Sequence, residues 1–86
     1  MQWFGLQMIT VEISKHQKAF HNAHNDVIEH LGGVKAIMNK PNYFVALKQG
    51  WKEIHNVDVP GAVASWSYLV FDTEDDYLLW LIKYSR

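Results

Sequence analysis

Cysteine is absent from this 86-residue chain, which excludes disulfide staples, thiol nucleophiles and cysteine-ligated zinc or iron–sulfur centres. Proline occurs twice and glycine five times, and no internal repeat, low-complexity tract or flexible linker is present. No apolar run approaches the roughly 20 residues that span a membrane. The opening Met1-Gln2-Trp3-Phe4-Gly5 has no Lys or Arg before Lys15, so it lacks the layout of a signal peptide. A cytoplasmic protein with no membrane partner is expected. The net charge is only −1, which gives no overall drive toward nucleic acid or anionic lipid.

What the chain does have is apolar bulk. Hydrophobic residues make up 49% of it, Trp3, Trp51, Trp66 and Trp80 among them. A chain this short buries only about 60–65% of its unfolded surface, so large side chains must supply the core. That composition is far from a disordered one, and one domain over residues 1–86 is expected. Charge is unevenly spread: residues 1–52 hold six Lys against three acids, and residues 53–86 hold Lys83 and Arg86 against six acids. Such a split either forms two solvated surfaces or complements a partner, which includes a second copy.

The pattern predicts an α+β fold. Residues 6–13 alternate as a strand with Ile9, Val11 and Ile13 on the core face. Ser14 with Gln17 reads as a capping box. Phe20, Ala23, Val27, Ile28 and Leu31 then recur at helical spacing over 15–31, and Gly32-Gly33 stops that helix. Val34 to Met38 reads as a short helical turn. Phe44, Leu47, Trp51 and Ile54 predict a second helix over 42–55, with Pro41 near its first position. Gly50 weakens that helix, and a hairpin of 43–47 with 51–55 is the alternative. After a loop at 56–61, residues 62–71 read as the central strand, with large residues on both faces toward its end. Asp72 or Thr73 then caps a helix over 73–84, whose first turn holds Glu74, Asp75 and Asp76. The helices are expected to pack mainly on one face of the small sheet.

The stretch Phe71-Asp72-Thr73-Glu74-Asp75-Asp76-Tyr77-Leu78-Leu79-Trp80-Leu81-Ile82-Lys83-Tyr84 resembles the endings of many short, uncharacterised proteins of tailed bacteriophages. A strand-terminal Phe, an acidic turn, an aromatic-bearing helix and a final Lys-aromatic pair carry the resemblance, which covers residues 71–84 alone. It implies a phage-encoded accessory protein acting on a host factor, in the host cytoplasm, and brings no catalytic residues with it.

Reactive constellations are sparse. His16, His21, His24 and His30 share the first helix, and His21 with His24 has the spacing to share a metal. The further ligands that zinc needs project elsewhere: Asp26 and His30 sit off that line, paired with each other one turn apart. Sensitivity to pH near the ordinary histidine range is expected in place of a metal. Ser14 serves as a cap, Ser65 and Ser67 lack an elbow motif, and joining either to His55 and Asp58 has no pattern behind it. Gly32-Gly33 follows a helix where a phosphate loop would precede one. No catalytic residue, metal or cofactor is assigned. Lys35, Lys40, Lys48 and Lys52, interleaved with Tyr43, Phe44 and Trp51, offer a nucleic-acid surface as the alternative. A small metal-dependent enzyme using the histidines is the second alternative.

The leading expectation rests on apolar excess. Tyr77 to Ile82 is apolar all round a helix, whereas a surface helix buries one face. Either Trp3 and Phe4 cover the remainder, or a second copy or a target protein does. The reading is a non-catalytic protein-binding module, a homodimer among its forms, with Trp3, Phe4, Tyr77, Trp80, Leu81 and Tyr84 as contact residues.

Overall fold

The computed structural model describes residues 8–60 and 66–86. Along the chain it places β1 (Ile9–Glu12), a 3-10 turn (Ile13–Lys15), α1 (Gln17–His30), α2 (Val34–Met38), α3 (Tyr43–His55), β2 (Val57–Asp58), β3 (Tyr68–Phe71) and α4 (Glu74–Tyr84). The fold is α+β: helices on a small antiparallel sheet of order β1-β3-β2. The central place of β3 agrees with the sequence pattern.

Ile9 pairs with Phe71, Val11 with Leu69 and Val57 with Phe71. Residues directly opposite share a face of the sheet, so these apolar pairs form its inner side. Leu69, Phe71 and Val57 are fully buried there. The outer side carries Thr10, Glu12, Asp58 and Tyr68, all exposed, and Val70, which is half-buried. Among the described residues, full burial is confined to the inner face of β3, where Leu69 and Phe71 lie, and Val70 on its other face is half-buried. Of the strand expected over 6–13, Ile9 to Glu12 is strand, residues 6 and 7 lie outside the described ones, and Ile13 enters the 3-10 turn while its N–H still bonds the Ser67 carbonyl. Of the strand expected over 62–71, Tyr68 to Phe71 is strand, Trp66 and Ser67 are irregular, and residues 62–65 lie outside the described ones.

Helix ends follow local chemistry, with two corrections. Ser14 does not cap α1; it sits in the 3-10 turn, and His16 holds the cap position without a side-chain cap bond. Pro41 does not open α3 either. Asn42 does, its side-chain oxygen accepting from the Val45 N–H, so proline precedes the cap. The α1 stop is as expected. Gly32 and Gly33 both have φ near +98°, and their N–H groups bond the Glu29 and Ile28 carbonyls, the paired bonds of a Schellman ending. Thr73 caps α4 by accepting from the Asp76 N–H.

Residues 43–55 are helix and not hairpin. Gly50, which weakened that reading, explains itself in three dimensions. A Cβ there would stand 2.8 Å from Val27 Cγ1 and 3.3 Å from Leu31 Cδ1. With Ala19 and Ala23 also buried, small residues let α1 and α3 approach closely. Their absence of bulk is the packing solution.

Candidate functional site

Helix α1 divides the molecule into two flanks. Successive residues turn about 100° around a helix, so Asn22 and Asp26 point half a turn away from His24 and Ile28. On the first flank lies α4, fastened by polar bonds. Tyr77 and His16 share a 2.9 Å hydrogen bond. Asn22 Nδ2 donates to the Tyr84 carbonyl at 2.9 Å, and the Tyr84 hydroxyl donates to Asp26 Oδ2 at 2.7 Å. Burial, then the bond to Asp26, push the Tyr84 phenol well above its ordinary range.

This seam decides which side of α4 is left over. Trp80 and Tyr84 are buried, and Tyr77 and Leu81 are half-buried against the core. Of the contact residues expected from the sequence, these four therefore serve the interior first. Trp3 and Phe4 lie outside the described residues. The outward apolar side chains are Leu78, Leu79 and Ile82, at 43%, 65% and 69% exposure. Glu74 and Asp75, both exposed, continue the same ridge one turn earlier. The sequence showed the excess of apolar residues but not its direction, because α4 has no polar side to mark the solvent face.

On the opposite flank α1, α2 and α3 enclose a groove of about 260 Å3, lined by His24, Ile28, Val34, Ile37, Met38, Tyr43 and Leu47. An apolar cavity of about 150 Å3 accepts benzene, so one bulky side chain fits. Val34 and Met38 on its rim are 58% and 70% exposed, and the Tyr43 and Phe44 rings lie 4.1 Å apart beside it. Sequence reasoning missed this site, since Val34 to Met38 read only as a connecting turn. The available signal was a five-residue helix with three large apolar residues.

One lining residue, His24, belongs to an aromatic group. Phe20 stacks on His24 and on Trp51, at 5.5 and 5.2 Å between ring centres, and Trp66 stands edge-on to all three rings. Trp51 Nε1 donates to His24 Nδ1 at 3.1 Å. That bond needs a neutral imidazole with its proton on Nε2. Burial first, then the neighbouring His21 and His55, hold the His24 pKa below its ordinary range. His55 Nε2–H donates to the Ala23 carbonyl at 2.9 Å. Burial lowers its pKa against the opposing pull of that carbonyl and Asp26, and Lys83 lowers it further.

The other constellations come apart. His30 meets Glu53 at 3.2 Å and not Asp26, whose carboxylate is taken by Tyr84. Among the described residues no group of three or more His, Asp or Glu could hold a metal. Ser14 and Ser67 are exposed, Ser65 lies outside the described residues, His55 is spent on Ala23 and Asp58 pairs with Lys52 at 3.6 Å. Of the interleaved lysines, Lys35 and Lys40 are exposed, Lys48 is half-buried and Lys52 is turned to Asp58. Trp51 is fully buried and unavailable to stack a base; Tyr43 and Phe44 remain accessible. No helix among the described residues is long and apolar enough to cross a membrane. No protein-family model, curated protein or solved structure matches the chain.

Proposed function

We propose that this protein is a non-catalytic protein-binding module, a phage-type accessory protein that engages a host protein in the host cytoplasm. One observation carries the reading. Leu78, Leu79 and Ile82 stand outward on a helix whose inner side is already satisfied by the core and by three hydrogen bonds. Large aliphatic side chains gathered on one exposed helix face lose about 25 cal/mol per Å2 of favourable transfer for as long as water covers them. A partner surface recovers that energy, and such patches mark interfaces. The acidic turn ahead of them fits a partner with basic residues at its rim, where charge sets approach and register. The hydrogen bonds that His16, His24 and His55 make within the fold, to Tyr77, Trp51 and the Ala23 carbonyl, favour binding over catalysis.

The test uses the full chain immobilised beside its Leu79→Asp/Ile82→Asp variant. A bacterial lysate is passed over both, and any protein retained by the wild type alone is purified and titrated by calorimetry. Saturable 1:1 binding, weakened at least roughly tenfold in a variant of unchanged melting temperature, supports the reading. Equal retention by both, or no selective retention, rejects it.

A further inference from the structure

The two flanks of α1 match each other in chemistry, and we infer that the α4 ridge of one copy docks into the α1–α2–α3 groove of the next, giving head-to-tail self-association. This inference rests on the binding role of α4 proposed above and names a second copy as an occupant of that surface.

Charge is the first support. From residue 31 to residue 52 the chain has four lysines and no acid. Lys35, on α2 next to the lining Val34, and Lys40, two residues past the lining Met38, are both exposed. The α4 ridge begins with exposed Glu74 and Asp75 and continues into Leu78, Leu79 and Ile82. An acidic turn leading three aliphatic side chains is the complement of an apolar groove whose α2 wall is neighboured in sequence by lysines. Opposite potentials steer such surfaces together and fix their register.

Geometry is the second support. Asn22 and Asp26 hold α4 on one flank of α1, while His24 and Ile28 line the groove on the other. A copy therefore cannot lay its own ridge in its own groove. Because the two patches differ, the contact is heterologous: each copy uses its ridge on one neighbour and its groove on another. Such contacts grow into chains or close into rings, and they do not stop at a two-fold dimer unless one patch is blocked. The groove admits about one side chain, so the contact is small and its association weak and concentration-dependent.

The experiment is sedimentation velocity of the full chain across a concentration series. The wild type is expected to gain mass with concentration, and the gain to weaken about tenfold on raising salt well above 0.15 M, where charge steering is screened. Lys35→Glu/Lys40→Glu disables the groove, and Leu79→Ser/Ile82→Ser disables the ridge. All four positions are exposed, and circular dichroism checks each variant's fold. Each variant alone is expected to remain monomeric. Mixed 1:1 they are expected to form a dimer and nothing larger, since one intact ridge meets one intact groove. A wild type that stays monomeric throughout overturns the inference, whether a foreign protein or the chain's own first residues cover the ridge. So does failure of the mixture to associate, or dimerisation of the Lys35→Glu/Lys40→Glu variant alone, which is the result a symmetric ridge-to-ridge dimer gives. Retention of a host protein by a strictly monomeric wild type leaves the binding role standing and removes only the second copy.

Discussion

Helix α1 is gripped on two sides by different physics. Against α3 the contact adds close packing to its bonds: Ala23 and Val27 are fully buried, Trp51 with them, and Gly50 leaves no room for a Cβ, while Trp51 bonds His24, His55 bonds the Ala23 carbonyl and His30 meets Glu53. Against α4 it is one of specific bonds, namely Tyr77 with His16, Asn22 with the Tyr84 carbonyl and Tyr84 with Asp26. A packed contact responds to added or missing atoms. A hydrogen-bonded contact responds to protons. The difference teaches why the apolar excess of α4 faces outward: polar groups on its inner side orient the helix, which leaves its aliphatic residues unused.

The strongest way to break the packed side is Gly50→Leu. Its Cβ would start 2.8 Å from the stiff, β-branched Val27, and the remaining atoms have nowhere to go but between α1 and α3. We expect a loss of about 3 kcal/mol, the upper range for overpacking, read as a lower urea midpoint at unchanged slope. A gain in stability, as helix propensity alone would give, would mean the helices do not meet there.

The bonded side is tested by Tyr84→Phe. The phenol donates to the Asp26 carboxylate at 2.7 Å, and a bond to a charged acceptor contributes about 2 kcal/mol. The variant should lose that amount near neutral pH. Because folding raises the Tyr84 pKa, its contribution is fully present below the ordinary value of 10.0 and is lost as pH rises through the folded value. Urea titrations above pH 10 should therefore show a falling midpoint in the wild type and a shallower fall in the variant. Parallel alkaline slopes would remove Tyr84 from the seam.

Acid probes the aromatic group around His24 and the α3 contact, with a smaller effect. Folding lowers the pKa of both His24 and His55 from 6.5. Below that value the unfolded chain takes up protons that the folded chain refuses, so stability is whole above 6.5 and falls as pH drops toward the folded values. Protonated His24 cannot accept from Trp51 Nε1. The urea midpoint should decline from pH 7 to pH 5, and His24→Gln should flatten the decline. A midpoint that climbs toward pH 5 would contradict the neutral imidazole.

Local rules carried far in this chain. The Gly32-Gly33 stop, a cap at Asp72 or Thr73 and the inward set of Ile9 and Val11 depend on neighbours in sequence and were legible, and Thr73 is the one that caps. Gly50 was legible only as a defect, because its reason lies on α1. Ser14 and Gln17 had the spacing of a capping box, yet Ile13 turned into a 3-10 helix and shifted the start of α1. His30 and Asp26 had the spacing of a pair, but Glu53 and Tyr84, distant in sequence, compete for them. The candidate site shows the same limit. An excess of apolar residues can be counted along α4, but which of them face water depends on where His16, Asn22 and Asp26 stand. The groove needs three helices and has no linear pattern.

The smallest expected effect is also the sharpest on function. Leu79 and Ile82 are about two-thirds exposed, so replacing both by serine removes little buried area. Stability should move by no more than about 0.5 kcal/mol, the ordinary range for surface changes, in thermal or urea unfolding of dilute protein. Were these side chains part of the core, truncation would cost several times more, about 2–5 kcal/mol for each aliphatic residue. A large loss would place the ridge inside the fold, covered by the chain itself, and would end its claim to a partner. A loss near zero, with association abolished, separates the two sides of α4 cleanly: Trp80 and Tyr84 hold the helix to the molecule, and Leu79 and Ile82 hold the molecule to something else.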